Sequence, residues 1–202
     1  MYPMAPGTPV PIYRPLRPAD DGVPVDFKAL WARADTFPQF LARVRNLRSL
    51  WEGSYRNAVL PGWALGDYGT LSCGLRLLVL NADWCLDSAN TVPILARLAE
   101  QVPRMELRLL ERDRYPGLMD RYLTDRTRSI PLVILLDENF RELGHWGPRP
   151  AELQSWVRAH LEDLPKEERL KEQRRWYIRD RGESVLREVL ERAASECLKL
   201  TA

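Results

Sequence analysis

Between residues 75 and 110 the chain places a strand, a helix and a second strand with little between them. That order restricts the fold more than any other feature. Leu75-Arg76-Leu77-Leu78-Val79-Leu80 is a near-continuous apolar run of strand length. Residues 85–101 carry helical spacing, and residues 105–110 are apolar again. Two apolar strands joined by a helix form a crossover unit, so they should run parallel with both faces covered. A third strand over residues 131–136, a turn at Asp137-Glu138-Asn139 and a fourth strand over residues 141–145 add an antiparallel hairpin. Short helices are expected over residues 116–123 and 150–161, the latter with Leu153, Trp156, Val157 and Leu161 on one side. The sum is an α/β domain over residues 70–163, a mixed central sheet flanked by helices.

The flanks read differently. Residues 1–24 hold seven prolines and no apolar periodicity, the pattern of an extended, flexible arm. Residues 25–69 form a helical extension. Asp26 can cap a helix running to Ala34, and Thr36 can cap a second, with Pro38 tolerated in its first turn. In that second helix Phe37, Phe40, Leu41, Val44, Leu47, Trp51 and Tyr55 recur at helical spacing, which predicts one continuous helix. Pro61-Gly62-Trp63 and Gly66-Asp67-Tyr68-Gly69 mark a loop. Residues 164–202 form a charged, helical C-terminal extension that Gly182 can interrupt. Its second half gathers Val185, Leu186, Val189, Leu190, Ala193 and Cys197 on one face, so it should dock on the domain.

Bulk composition narrows the function. A formal charge of +2 gives no reason to expect a nucleic-acid or membrane partner. The arginines of residues 169–181 interleave with Glu172 and Asp180 and follow Glu167 and Glu168, which reads as a solvated helix face. No apolar run approaches the roughly 20 residues that span a bilayer, and no signal-peptide pattern opens the chain. A reducing cytoplasm is the expected location. His145 and His160 are too isolated for a metal site, and three cysteines fit neither a disulfide framework nor a zinc site. Cys73 and Cys197 are expected to be packing residues.

Cys85 is different, because it stands between a strand and the start of a helix. There it faces unpaired backbone N–H groups and the positive end of the helix dipole, which favour a thiolate. Ser88, one turn on, can donate to the sulfur. Asp87 opposes it, since two unit charges about 6 Å apart repel by roughly 0.7–3 kcal/mol. Two readings follow, a reactive thiol or an inert cysteine on a scaffold. Cys73 cannot serve as a second redox thiol, because seven residues of strand put it some 20 Å from Cys85.

Residues 75–162 resemble the thioredoxin fold. Trp84-Cys85 closes a strand, Ser88 stands at the place of the second active-site cysteine, and Pro93 falls eight residues after Cys85. Ile130-Pro131 opens the third strand where thioredoxins carry a cis-proline, and Gly147 follows the hairpin at the substrate-groove glycine. Asp83-Trp84-Cys85-Leu86-Asp87-Ser88, Arg128-Ser129-Ile130-Pro131, Trp146-Gly147-Pro148-Arg149-Pro150 and Trp176-Tyr177-Ile178-Arg179-Asp180-Arg181-Gly182 further resemble a bacterial thioredoxin-like subgroup. Its members have helical extensions at both ends and often lack the second cysteine.

The departures from the family matter. Ser88 replaces the resolving cysteine, Val79 stands where thioredoxins bury an aspartate, and Leu86-Asp87 replaces Gly-Pro. A dithiol cycle is therefore unavailable. The resemblance implies a monothiol site in which Cys85 attacks a protein or glutathione disulfide and Ser88 holds the thiolate. Ile130 and Pro131 would dock a substrate backbone, while Trp84, Trp146 and Gly147 shape the groove. Trp146 has core packing as its alternative. Arg149 would bind an anion such as a glutathione carboxylate or stand as a solvated charge. No cofactor is implied beyond glutathione as co-substrate. The competing class is a redox-inactive binding module on the same fold, and the oligomeric state is open.

Overall fold

The computed structural model describes residues 24–66 and 74–201, so the proline-rich arm up to residue 23, Cys73 and most of the Gly66–Gly69 turn lie outside the described residues. Asp26 caps α1 (Phe27–Arg33) by accepting from Ala29 N at 2.9 Å. A two-residue strand β1 (Asp35–Thr36) leads into α2 (Phe37–Arg43), where Thr36 and Gln39 form a capping box.

The single helix expected over residues 36–55 is in fact two. Leu47 adopts a left-handed conformation (φ 52°), ending α2 and opening α3 (Arg48–Asn57). The break has a partner: the Asp83 carboxylate accepts from Arg45 N at 2.9 Å, Asn46 N at 3.0 Å and Asn46 Nδ2 at 2.9 Å, and Trp51 Nε1 donates to the Asp83 carbonyl. Backbone groups released by the interrupted helix are thus satisfied by the turn just before Cys85. A short α4 (Gly62–Gly66) follows where a loop was expected.

The sheet is built from β2 (Leu75–Asn81), β3 (Met105–Glu111), β4 (Leu132–Leu136) and β5 (Glu142–Trp146), with strand order β1-β3-β2-β4-β5. β2 and β3 are parallel, joined by α5 (Leu86–Gln101), and β4 is antiparallel to both β2 and β5. A 3-10 turn over Arg112–Arg114 and α6 (Pro116–Asp120) connect β3 to β4. Leu77, Leu78, Val79 and Leu80 are all fully buried, as a two-sided central strand requires.

Beyond the sheet lie α7 (Ala151–Ala159), α8 (Lys166–Asp180) and α9 (Glu183–Thr201). Leu153 and Val157 of α7 are buried, but Leu161 is exposed, so the apolar stripe ends one turn earlier than its spacing suggests. Gly182 (φ +82°) separates α8 from α9, and a Cβ there would meet Ile94 Cδ1 at 2.4 Å. Val185, Leu186, Val189, Leu190 and Ala193 are fully buried against the sheet and α5. Each aliphatic side chain so buried contributes about 1.5–3 kcal/mol, so α9 is part of the core. Cys197 is buried as expected but is held in a disulfide, which corrects the expectation of a free packing thiol.

Candidate functional site

The turn Asp83–Ser88 carries the site. Ala82 O accepts from Cys85 N, bending the chain out of β2, and Cys85 becomes the N-cap of α5. Its sulfur accepts from Ser88 N at 3.4 Å and donates to Ile130 O at 3.4 Å. The bond between Ile130 and Pro131 is cis. Cys85, Ile130 and Trp84 thus meet at the wall of one cleft of 530 Å³. Trp84 is 49% exposed there, with the Arg112 guanidinium 4.9 Å from its ring centre.

Cys85 itself is 8% exposed, the free thiol among the described cysteines. Burial raises its pKa above the usual thiol value, and Asp87 raises it further. The Ser88 hydroxyl and the backbone N–H groups of Ser88 and Asp87 pull it back without cancelling those effects. Burial and the Asp87 charge therefore oppose the thiolate that a helix terminus favours. Ser88 is fully buried, its hydroxyl makes no hydrogen bond of good geometry, and the bond that reaches the sulfur comes from its backbone instead.

Asp87 is the residue whose setting sequence reasoning missed. It is 4% exposed, its Oδ2 lies 2.6 Å from Arg149 Nη2, and Tyr177 donates its hydroxyl to Oδ1 at 2.9 Å. Burial raises the Asp87 pKa, while the Arg149 charge and the Tyr177 hydroxyl restrain the rise. A guanidinium in direct contact favours the carboxylate form. Tyr177, wholly buried and facing that carboxylate, is pushed well above its ordinary value by burial first and the Asp87 charge second. Arg149 is neither a solvated charge nor an open anion site: it binds Asp87 and donates to Gln154 Oε1 at 2.9 Å. Tyr177 belongs to the Trp176–Gly182 motif, which had been singled out without a chemical role.

Two other expected groove residues lie elsewhere. Trp146 is buried in the main core, and its Nε1 donates to Glu188 Oε2 at 2.7 Å. Glu188 also accepts from Ala151 N at 2.8 Å, so one carboxylate from α9 holds both Trp146 and the start of α7. Trp146 and Gly147 border a separate cavity of 110 Å³, not the Cys85 cleft. Gly147 (φ +123°) does permit close approach, but to its own chain: a Cβ would sit 2.1 Å from Pro131 O. It braces the Pro131 backbone from behind.

The far wall of the cleft is α8. Arg169 and Arg174, expected on a solvated face, line it together with Lys166, Ser129 and Ile130. No group of three or more metal-ligating side chains occurs among the described residues, and no described helix is long and apolar enough to cross a membrane.

A mixed sheet with a cysteine at the first turn of the crossover helix and an X-Pro bond opposite it defines a thioredoxin-like protein. Residues 34–171 match the sequence family described as thioredoxin, and the chain belongs to that family. Among curated proteins, none matches it in sequence. Two solved structures share the fold. One is an HIV epitope scaffold of the 4E10 series (TM-score 0.67, 21% identity, covering 83% of this chain and 97% of the scaffold). The other is PA1234, a protein of unknown function from Pseudomonas aeruginosa (TM-score 0.66, 19% identity, covering 89% of this chain and 100% of that one).

Proposed function

We propose that this thioredoxin-like protein carries out monothiol disulfide exchange at Cys85. In the first step the Cys85 sulfur, having lost its proton to solvent, attacks one sulfur of a disulfide R–S–S–R. A Cys85–S–S–R bond forms and R–S⁻ leaves, taking up a proton. Ser88 cannot expel the attached group, so a second thiol of low molecular weight, such as glutathione, attacks the mixed disulfide and regenerates Cys85. The single observation that supports this reading is the placement of a free thiol on a cleft wall against the Ile130 carbonyl. An incoming chain can pair with the backbone there, beside Trp84.

A second reading, a redox-inactive binding module, draws on the burial of the sulfur and its raised pKa. Purification from cells without reductant separates the two. Exchange predicts mixed disulfides on Cys85 by mass measurement, lost in C85S. An unmodified Cys85 that also fails to react with added small disulfides at pH 8 supports the binding module.

A further inference from the structure

The charge around the cleft is one-sided. Arg112, Arg128, Arg149, Lys166, Arg169 and Arg174 line it, against a single carboxylate, Asp87. Three of those cations are already neutralised: Arg149 by Asp87, Arg112 by Asp113 at 2.9 Å, and Arg128 by Asp120 through two contacts. Lys166, Arg169 and Arg174 form no ion pair among the described residues; Arg169 donates only to the carbonyls of Leu161 and Leu164. All three belong to α8 and face the Cys85 side of the molecule. Their spacing of three, then five, along the helix puts them on neighbouring turns.

We infer that the disulfide this site takes is a small polyanion, whose carboxylate or phosphate groups seat against Lys166, Arg169 and Arg174 while its sulfur reaches Cys85. The inference rests on the exchange reading and adds the substrate class. Cavity size supports a small molecule, since 530 Å³ falls within the range of ligand clefts. The α8 wall supports it too. Its Lys166, Arg169 and Arg174 line the same cleft as Cys85, Ser129 and Ile130, so charged groups of a bound molecule can meet them while its sulfur meets the thiol. A surplus of three unpaired cations attracts an anion over roughly 10 Å at 0.1 M salt and repels a cation equally. In the reaction R–S–S–R is reduced to one R–S⁻ and one R–S– on Cys85, and a second thiol later removes that group as a disulfide. The charges of R take no part in the electron balance and act only on encounter and seating.

The test uses the full chain and three disulfides of similar size: oxidised glutathione (anionic), 2-hydroxyethyl disulfide (neutral) and cystamine (cationic). Mixed-disulfide formation at Cys85 is followed by mass spectrometry at pH 8, each rate being normalised to that of the same disulfide with a free model thiol. Oxidised glutathione should exceed cystamine by about tenfold or more at low salt, about 1.4 kcal/mol, and the gap should close near 0.5 M salt. The triple variant K166E/R169E/R174E, with its fold checked by circular dichroism, should invert the order. Equal normalised rates, or an order unmoved by salt and by the variant, would overturn the inference. A second arm measures S-methylglutathione binding to C85S, which needs no chemistry. Salt-sensitive binding there, with no disulfide reacting in the native chain, supports the polyanion cleft and overturns exchange. Exchange without that binding overturns the polyanion class alone.

Discussion

Replacing Asp87 by asparagine isolates the largest electrostatic term that opposes a Cys85 thiolate. The side chains are isosteric, and the amide oxygen can still accept from Tyr177, so the main change is loss of one buried negative charge. Two unit charges about 6 Å apart interact by roughly 2.8 kcal/mol at an effective dielectric of 20 and 0.7 kcal/mol at 80. D87N should therefore lower the Cys85 pKa. Arg149, freed from its partner, pushes the same way. At pH 7 the thiolate fraction then rises by about 3–100-fold, but nucleophilicity falls with pKa, so disulfide exchange should accelerate by only about 2–10-fold. The assay is the pH profile of iodoacetamide alkylation followed on the Cys85 peptide, alongside exchange with a small disulfide at pH 7. Unpairing Arg149 will reduce stability, by at most about 3–5 kcal/mol. D87N/R149Q removes both charges and serves as the stability control. An alkylation midpoint unmoved or raised in D87N of native circular dichroism would refute the electrostatic account of this site.

Three further outcomes follow from the packing. G147A meets both a positive φ and a Cβ 2.1 Å from Pro131 O, so urea unfolding should show a loss above about 3 kcal/mol, and Cys85 reactivity should change with it. His145 is held neutral by burial, its pKa lowered to about 4. Its contribution is complete above the unfolded value near 6.5 and is lost as pH falls toward 4, by up to about 3.4 kcal/mol. The native chain should therefore lose stability relative to H145Q across that window, and parallel urea midpoints for the two would contradict it. D83A removes the acceptor of three bonds from Arg45 and Asn46 and should cost about 1–3 kcal/mol, with amide exchange rising first in α2 and α3.

The parts legible in the sequence are those governed by local periodicity. The apolar run of β2, the strand and helix alternation after it, the Asp26 and Thr36 caps and the buried face of α9 all follow from side-chain spacing. Phe37 to Tyr55 misled because a helical apolar pattern survives a break when both pieces pack on the same surface. The interruption at Leu47 is held by Asp83, whose partner Asn46 lies 37 residues away in sequence. Cys85, Ser88 and Ile130 are brought together as the motif suggested, since strand ends and helix starts fix their places. Their chemistry was not legible, because the balance between a helix terminus and desolvation turns on tenths of exposed surface. Asp87 reads only as a charge opposing the thiolate, because Arg149 and Tyr177, which close over it, are both remote in sequence. Trp146 offered no signal separating a groove wall from the core, since the same indole serves either.

Asp83 and Asp87 flank the thiol, Asp83 held by the turn between α2 and α3 and Asp87 by Arg149 and by Tyr177 of α8. Removing α8 and α9 would take Tyr177 from Asp87 and the Lys166, Arg169 and Arg174 wall from the cleft, while Arg149 and the Asn46 turn would stay in place. The smallest unit that keeps the site whole therefore extends through α8. In this protein the C-terminal appendage is a component of the candidate site, and any excised version should be judged by how its thiol titrates before it is judged by whether it folds.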